Sequence, residues 1–221
     1  MQETLPSKYT LGGRATSAFV SGKAELVKFK KKYGTTHIKN SEPVHIWVIG
    51  PVIDAALDLG DLIANKHGYQ AISEKSLLEA EAATDSDRGR VVKAILEDNG
   101  LVSMSILEDL IIESLLARSP GLKGVVFSDI PRCKCQAKML KRIVGSVSLV
   151  IYMRWSEDGL KSALKLQNDE KAFAKSMEDF NKHTLPLATQ KRSFTVEGDA
   201  GPAACLAACS DMLCRVSLVG C

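Results

Sequence analysis

The stretch HIWVIGPVIDAALDLGDLI, from His45 to Ile63, constrains the fold more than any other part of the chain. It opens with a short apolar run, His45 to Ile49, of the kind that forms a strand buried on both faces of a parallel sheet. From about Asp54 the spacing turns helical, with Ala55, Leu59, Leu62 and Ile63 on one face. Between strand and helix lies a turn with a single glycine, Gly50, followed by Pro51, Val52 and Ile53. Many α/β proteins hold a phosphate at such a turn.

The same alternation recurs downstream. A segment over Gln70 to Ser73 precedes a helix at about Lys75 to Ala82. DSDRGRVVKAILEDNG reads as a helix with Val92, Ile95 and Leu96 inward and Gly100 as its stop. Ser105 and Glu108 suggest a capping box for ILEDLIIESLLA. GVVF (Gly124 to Phe127) is a second buried strand, followed by a helix over about Lys134 to Val144. VSLVIYM (Val147 to Met153) is a third strand, and Ser156 caps a helix to about Leu166. Glu170 to Lys182 is helical, SFTV (Ser193 to Val196) is a last strand, and Pro202 starts a helix to about Val216. Strands alternating with helices predict an α/β fold, a parallel sheet covered on both faces. Ligands in such sheets bind beyond the carboxyl ends of the strands, where the turn after Ile49 lies.

The 221 residues suffice for one domain with a sizeable core, and 45% apolar with 25% charged residues is ordinary for a globular protein. No apolar run approaches the ~20 residues of a membrane span, and no signal-peptide core interrupts the polar N-terminus. Charge is uneven. Residues 1–43 carry eight Lys or Arg against three Glu, while the remainder is net acidic. They read as a basic extension to a domain over residues 44–221. Its KFKKK cluster (Lys28 to Lys32) suits either docking to an acidic surface such as tubulin, nucleic acid or lipid, or a solvated helix face. The six cysteines do not form a secreted disulfide framework or a paired C-x-x-C zinc site. Cys133 and Cys135 form a C-x-C. Cys205 and Cys209 stand at helical spacing and could share a metal, but read as buried reduced thiols.

KHGYQAISEKSLLEAEAATDSDRGRVVKAILEDNGLV, SDIPRCKCQ and VEGDAGPAACLAACSDML together resemble, in order and spacing, the motifs of the adenylate kinases and related nucleoside monophosphate kinases. The resemblance covers about residues 44–216. It implies a three-layer, doubly wound, five-stranded parallel sheet of the P-loop NTPase type with a reduced lid. In the family the first strand enters a glycine-rich phosphate loop, which falls here on Gly50 to Asp58. Only its first glycine position, Gly50, is kept. The loop lysine falls on Ala56, the magnesium-contacting hydroxyl on Asp58, and glycines on Pro51, Ile53, Ala55 and Leu57. Pro51 has no N–H, and Val52 and Ile53 resist positive φ, so backbone donors are not free to converge on phosphate. Asp54, Asp58 and Asp61 set negative charge on one helical face. Asp54 is expected as an N-terminal carboxylate of that helix, standing where nucleotide phosphate would sit.

Other positions implied by the resemblance have changed too. The aspartate of the next catalytic strand falls on Ser128, with Asp129 adjacent; the monophosphate-binding threonine and arginine fall on Glu74 and Glu79. Trp155 to Lys182, the lid segment, contains no arginine. Arg132 matches an arginine that contacts monophosphate in the family, and Gln136 a glutamine that reads adenine. Weak AMP binding follows if they are free, yet Arg132 could equally pair with Glu74 or Asp129. SGKAELVKFKKKYGTTHI (Ser21 to Ile38) resembles a second, shortened copy of the family's opening segment. Three functions remain open: a catalytically degenerate pseudokinase acting as an interaction or structural module with a protein partner; a regulatory module holding AMP; and an active kinase with displaced residues, for which Lys23 is the candidate cation. No cofactor is expected, ATP with magnesium being disfavoured. The setting would be cytoplasmic or, by analogy with adenylate-kinase-like domains of cilia, axonemal.

Overall fold

A computed structural model describes residues 44–98, 100–117, 123–164, 169–189 and 192–219. Five parallel strands form one sheet in the order β2-β3-β1-β4-β5. They are β1 (Val44–Ile49), β2 (Tyr69–Ser73), β3 (Gly124–Ser128), β4 (Leu149–Arg154) and β5 (Ser193–Glu197). The helices are α1 (Ile53–His67), α2 (Glu74–Ala82), α3 (Asp87–Glu97), α4 (Met104–Leu116), α5 (Lys134–Val144), α6 (Glu157–Ala163), α7 (Glu170–His183), α8 (Leu185–Ala188) and α9 (Pro202–Val219). This is the covered parallel sheet that the alternation predicts, in the doubly wound, P-loop-kinase-like form that the resemblance implies.

Strand β1 is central, and all six of its residues are buried. Side chains alternate along a strand, so the two halves of β1 serve different cores. Trp47 and Ile49 join Phe127, Val150 and the inner faces of α4, α5, α7 and α8. Ile46 and Val48 join Val126, Ile151 and Met153, closed by α1 and α9. A third, smaller core of Leu78, Val92, Ile106 and Leu110 binds α2, α3 and α4 together. Beside it Arg88 reaches Glu81 at 2.9 Å and Glu113 at 2.7 Å, tying the same three helices by charge. Helix α1 lies close against the sheet at Gly60, where a Cβ would fall 1.8 Å from the Ser128 hydroxyl. It ends at Gly68, whose φ of 70° and N–H bond to the Ala64 carbonyl close the helix in the left-handed conformation glycine favours.

Several local expectations need correction. Helix α4 is capped by Ser103, whose hydroxyl accepts the Ile106 N–H at 3.4 Å, and not by Ser105, which lies inside the helix. Two serines one residue apart offer the same capping chemistry, and packing of Ile106 and Leu107 decides the register. The third strand starts at Leu149 rather than Val147, and α6, capped by Ser156 as expected, already ends at Ala163. Helix α8 was not anticipated: four residues are too few to show a period. The basic extension, its KFKKK cluster, Lys23 and the resemblance over Ser21 to Ile38 lie outside the described residues.

Candidate functional site

Two turns at the carboxyl end of the sheet carry the residues of interest. The first joins β1 to α1 in three residues, Gly50, Pro51 and Val52. Pro51 and Val52 are buried, and the helix is under way by Ala56, whose N–H bonds to the Val52 carbonyl at 3.2 Å. Val52 occupies the cap position but offers no side-chain bond. Gly50 is pressed by the end of β4: an added Cβ would lie 3.1 Å from the Met153 Cβ and 3.3 Å from its carbonyl. Ala56, at the loop-lysine position, is 1% exposed and packed in the core beneath α1.

The acidic residues of α1 lie elsewhere. Asp54, Asp58 and Asp61 are exposed. Asp54 faces Lys75 of α2 at 3.6 Å, its side chain 65% exposed. The expected cap carboxylate is therefore a correction: Asp54 sits inside the first turn, beyond the cap, and turns outward to a lysine instead of over the free N–H groups.

The second turn joins β3 to α5, with Ile130 and Pro131 buried and Asp129 and Arg132 supplying its polar side chains. Asp129 takes a φ of 59°, tolerable for aspartate, and its side chain is fully buried. One carboxylate oxygen accepts the Glu74 N–H at 2.9 Å; the other faces the Arg132 guanidinium at 3.2 Å. Arg132 also donates through Nε to the Asp129 carbonyl at 2.8 Å. Its backbone N–H goes to Gln136 Oε1 at 2.7 Å, and its carbonyl accepts the Thr184 hydroxyl at 2.8 Å. Gln136 Nε2 donates to Glu74 Oε2 at 3.1 Å. Burial pushes the carboxyl groups of both Glu74 and Asp129 above the usual range; Arg132 opposes this in each, and their mutual repulsion raises Glu74 further. Of the two partners open to Arg132, Asp129 forms the ion pair, while Glu74 accepts from Gln136 and still feels the guanidinium charge.

Between the turns lies a cavity of about 20 Å³, lined among others by Gly50, Ile53, Asp129, Arg132 and Thr184. That is room for about one water molecule, against the ~300–1,000 Å³ of a small-molecule site. On the other side of β1, Arg154 pairs with Glu197, and Asp199 accepts the Ser156 N–H at 2.7 Å, holding the start of α6 to the end of β5. Among the described residues no group of three or more His, Cys, Asp and Glu side chains could hold a metal, and no helix is long and apolar enough to cross a membrane. Cys205 and Cys209 are free and buried, with Cys209 pushed up to about 11 by burial. Cys133 and Cys135 are joined by a disulfide, a feature absent from the sequence reading, because spacing alone cannot tell a bridged C-x-C from two thiols.

A doubly wound parallel sheet of this order is a P-loop-kinase-like α/β fold, with the candidate residues at the carboxyl ends of β1 and β3. No protein-family profile matches the chain. Individual proteins do. The chain is 27% identical to mouse adenylate kinase isoenzyme 5 over 150 residues, covering 62% of itself and 27% of that protein. It is 26% identical over 133 residues to isoenzyme 1 of Gallus gallus and of Sus scrofa, covering 57% of itself and 69% of each. In sequence the chain is similar to the adenylate kinases, and its sheet is consistent with that similarity. It spans only about a quarter of the isoenzyme 5 length.

Proposed function

We propose that this protein is a catalytically degenerate adenylate-kinase-like module that acts through interaction or architecture rather than phosphoryl transfer. The observation that carries the reading is the β1–α1 turn. Three residues connect strand to helix, two of them are buried, and one is a proline with no N–H to donate. A phosphate cradle needs successive backbone N–H groups turned toward a common point, and a cation beside them. Here the cation's position holds a core alanine, Ala56. Gly50, Asp54 and Asp58 supply no replacement, so the residues of the turn do not fit a triphosphate with magnesium. The β3–α5 turn supports the same reading, since Arg132 and Gln136 are engaged by Asp129 and Glu74. A partner would then be a protein, with the basic extension suited to an acidic or cytoskeletal surface in the cytoplasm or an axoneme.

The test is a coupled assay for ADP formation from ATP and AMP, run beside thermal unfolding with a bisubstrate dinucleotide. Neither turnover nor a rise in Tm is expected. Turnover, or a shift that grows with ligand concentration, would overturn the reading. A Tm shift with AMP alone, lost in Arg132→Ala, would instead favour the AMP-holding module.

A further inference from the structure

The β3–α5 turn contains a reactive group that the kinase resemblance does not use. Cys133 and Cys135 are bridged across the single residue Lys134, their Cα atoms 5.4 Å apart. The two sulfurs sit differently. Cys135 is exposed on the first turn of α5. Cys133 is half-buried at the N-cap, where its Sγ accepts the Gln136 N–H at 3.5 Å. The first turn of this 11-residue helix has no acidic residue, and Lys134 and Lys138 are exposed beside the bridge. The carboxyl groups of that corner, Asp129 and Glu74, are engaged with Arg132 and Gln136.

We infer that Cys133 and Cys135 form a thiol–disulfide exchange site, which a dithiol enters at Cys135 and from which Cys133 departs as a stabilised thiolate. Exchange depends on which sulfur can be reached and which leaves best. The exposed sulfur is the accessible one. The capping sulfur, at the positive end of a helix with an N–H aimed at it, is the better leaving group. A bridge over one residue closes so short a loop that it constrains the unfolded chain little, so a purely structural role is poorly served.

The chemistry balances with a dithiol as reductant. Its thiolate bonds to Cys135 Sγ, the Cys133–Cys135 bond breaks, and the electron pair goes to Cys133 Sγ. The second thiol of the reductant loses its proton and attacks the reductant's own sulfur in the mixed disulfide, displacing Cys135 as thiolate. Two electrons and, through solvent, two protons pass to the protein, and the reductant leaves as a disulfide. A disulfide oxidant runs the sequence backward.

The full chain carries its own controls. Cys205 and Cys209 are buried thiols, and Cys214 is exposed. Folded protein is treated with millimolar dithiothreitol or oxidised glutathione, freed of the reagent, alkylated at neutral pH while still folded, and digested for mass spectrometry. The peptide holding Cys133 and Cys135 should pass between bridged and doubly alkylated forms, with Cys205 and Cys209 unmodified. A peptide that dithiothreitol leaves bridged in the folded protein, or that oxidised glutathione never bridges, overturns the site. In Cys135→Ser, Cys133 should alkylate at neutral pH roughly tenfold faster than Cys214. A rate no greater than that of Cys214 overturns the leaving-group assignment.

Discussion

The turns after β1 and β3 stand side by side at one end of the sheet, and both are filled by their own side chains. They close by different physics. The β1–α1 turn is filled with hydrocarbon: Pro51 and Val52 are buried and Ala56 lies in the core. Admitting a phosphate there would require rebuilding the backbone. The β3–α5 turn is held by polar contacts, an Asp129–Arg132 ion pair and a hydrogen bond from Gln136 to Glu74. A ligand there would need only to compete with side chains already in place. An anion would thus face packed hydrocarbon at the first turn and competing side chains at the second.

Three substitutions test that contrast. The largest effect should come from Ala56→Lys, which restores the residue type of a phosphate loop at a core position. An ammonium on a long stem has neither space nor a partner there, and urea unfolding should show a loss of roughly 3 kcal/mol without a gain in ATP binding. A stable variant that binds ATP would mean that the turn opens more readily than its burial indicates.

Glu74→Gln probes the polar turn and should act in the opposite direction. Burial raises the Glu74 carboxyl, so the folded chain holds that proton better than the unfolded chain. Such a group contributes its stability below the ordinary carboxylate range and loses it as pH rises through the raised folded value. Glutamine keeps an oxygen for the Gln136 amide and removes the titration. Stability measured across pH 4 to 8 should therefore vary less in the variant, which should gain about 1 kcal/mol at neutral pH. A loss at neutral pH would show that the ionised pair holds the turn together.

Asp54→Asn should do least. Its partner Lys75 is 3.6 Å away and both are well solvated, so a change below about 0.5 kcal/mol is expected, shrinking further in salt. A larger change would return Asp54 to the role of an internal anion for α1.

The sheet was legible because β1, β3 and β4 are short apolar runs that cannot be satisfied except between two layers. What fills the β1–α1 turn was legible in part: Pro51, which has no N–H, and the β-branched Ile53 stand where the resemblance places glycines. The remainder depended on distances that no local pattern encodes. Asp54 could face the helix end or Lys75; Arg132 could take Glu74 or Asp129; only the approach of α2 to the β3–α5 turn decides. Ser103 and Ser105 are equivalent as caps until Ile106 and Leu107 find the core. The bridge between Cys133 and Cys135 needed the helix start to bring the two sulfurs onto one turn.

The direction of α9 has one more consequence. It leaves the carboxyl end of β5 and runs back along the sheet, so that Ser210 meets Lys66 near the far end of α1 at 2.9 Å. Val44, where β1 begins, belongs to that same far pole. Entry to the domain and the return of its last helix therefore share one end, with about 20 Å of strand between them and the two turns. The domain is wired like a bead hung from one side: whatever is joined before β1 or after α9 is tethered at the pole opposite the two turns.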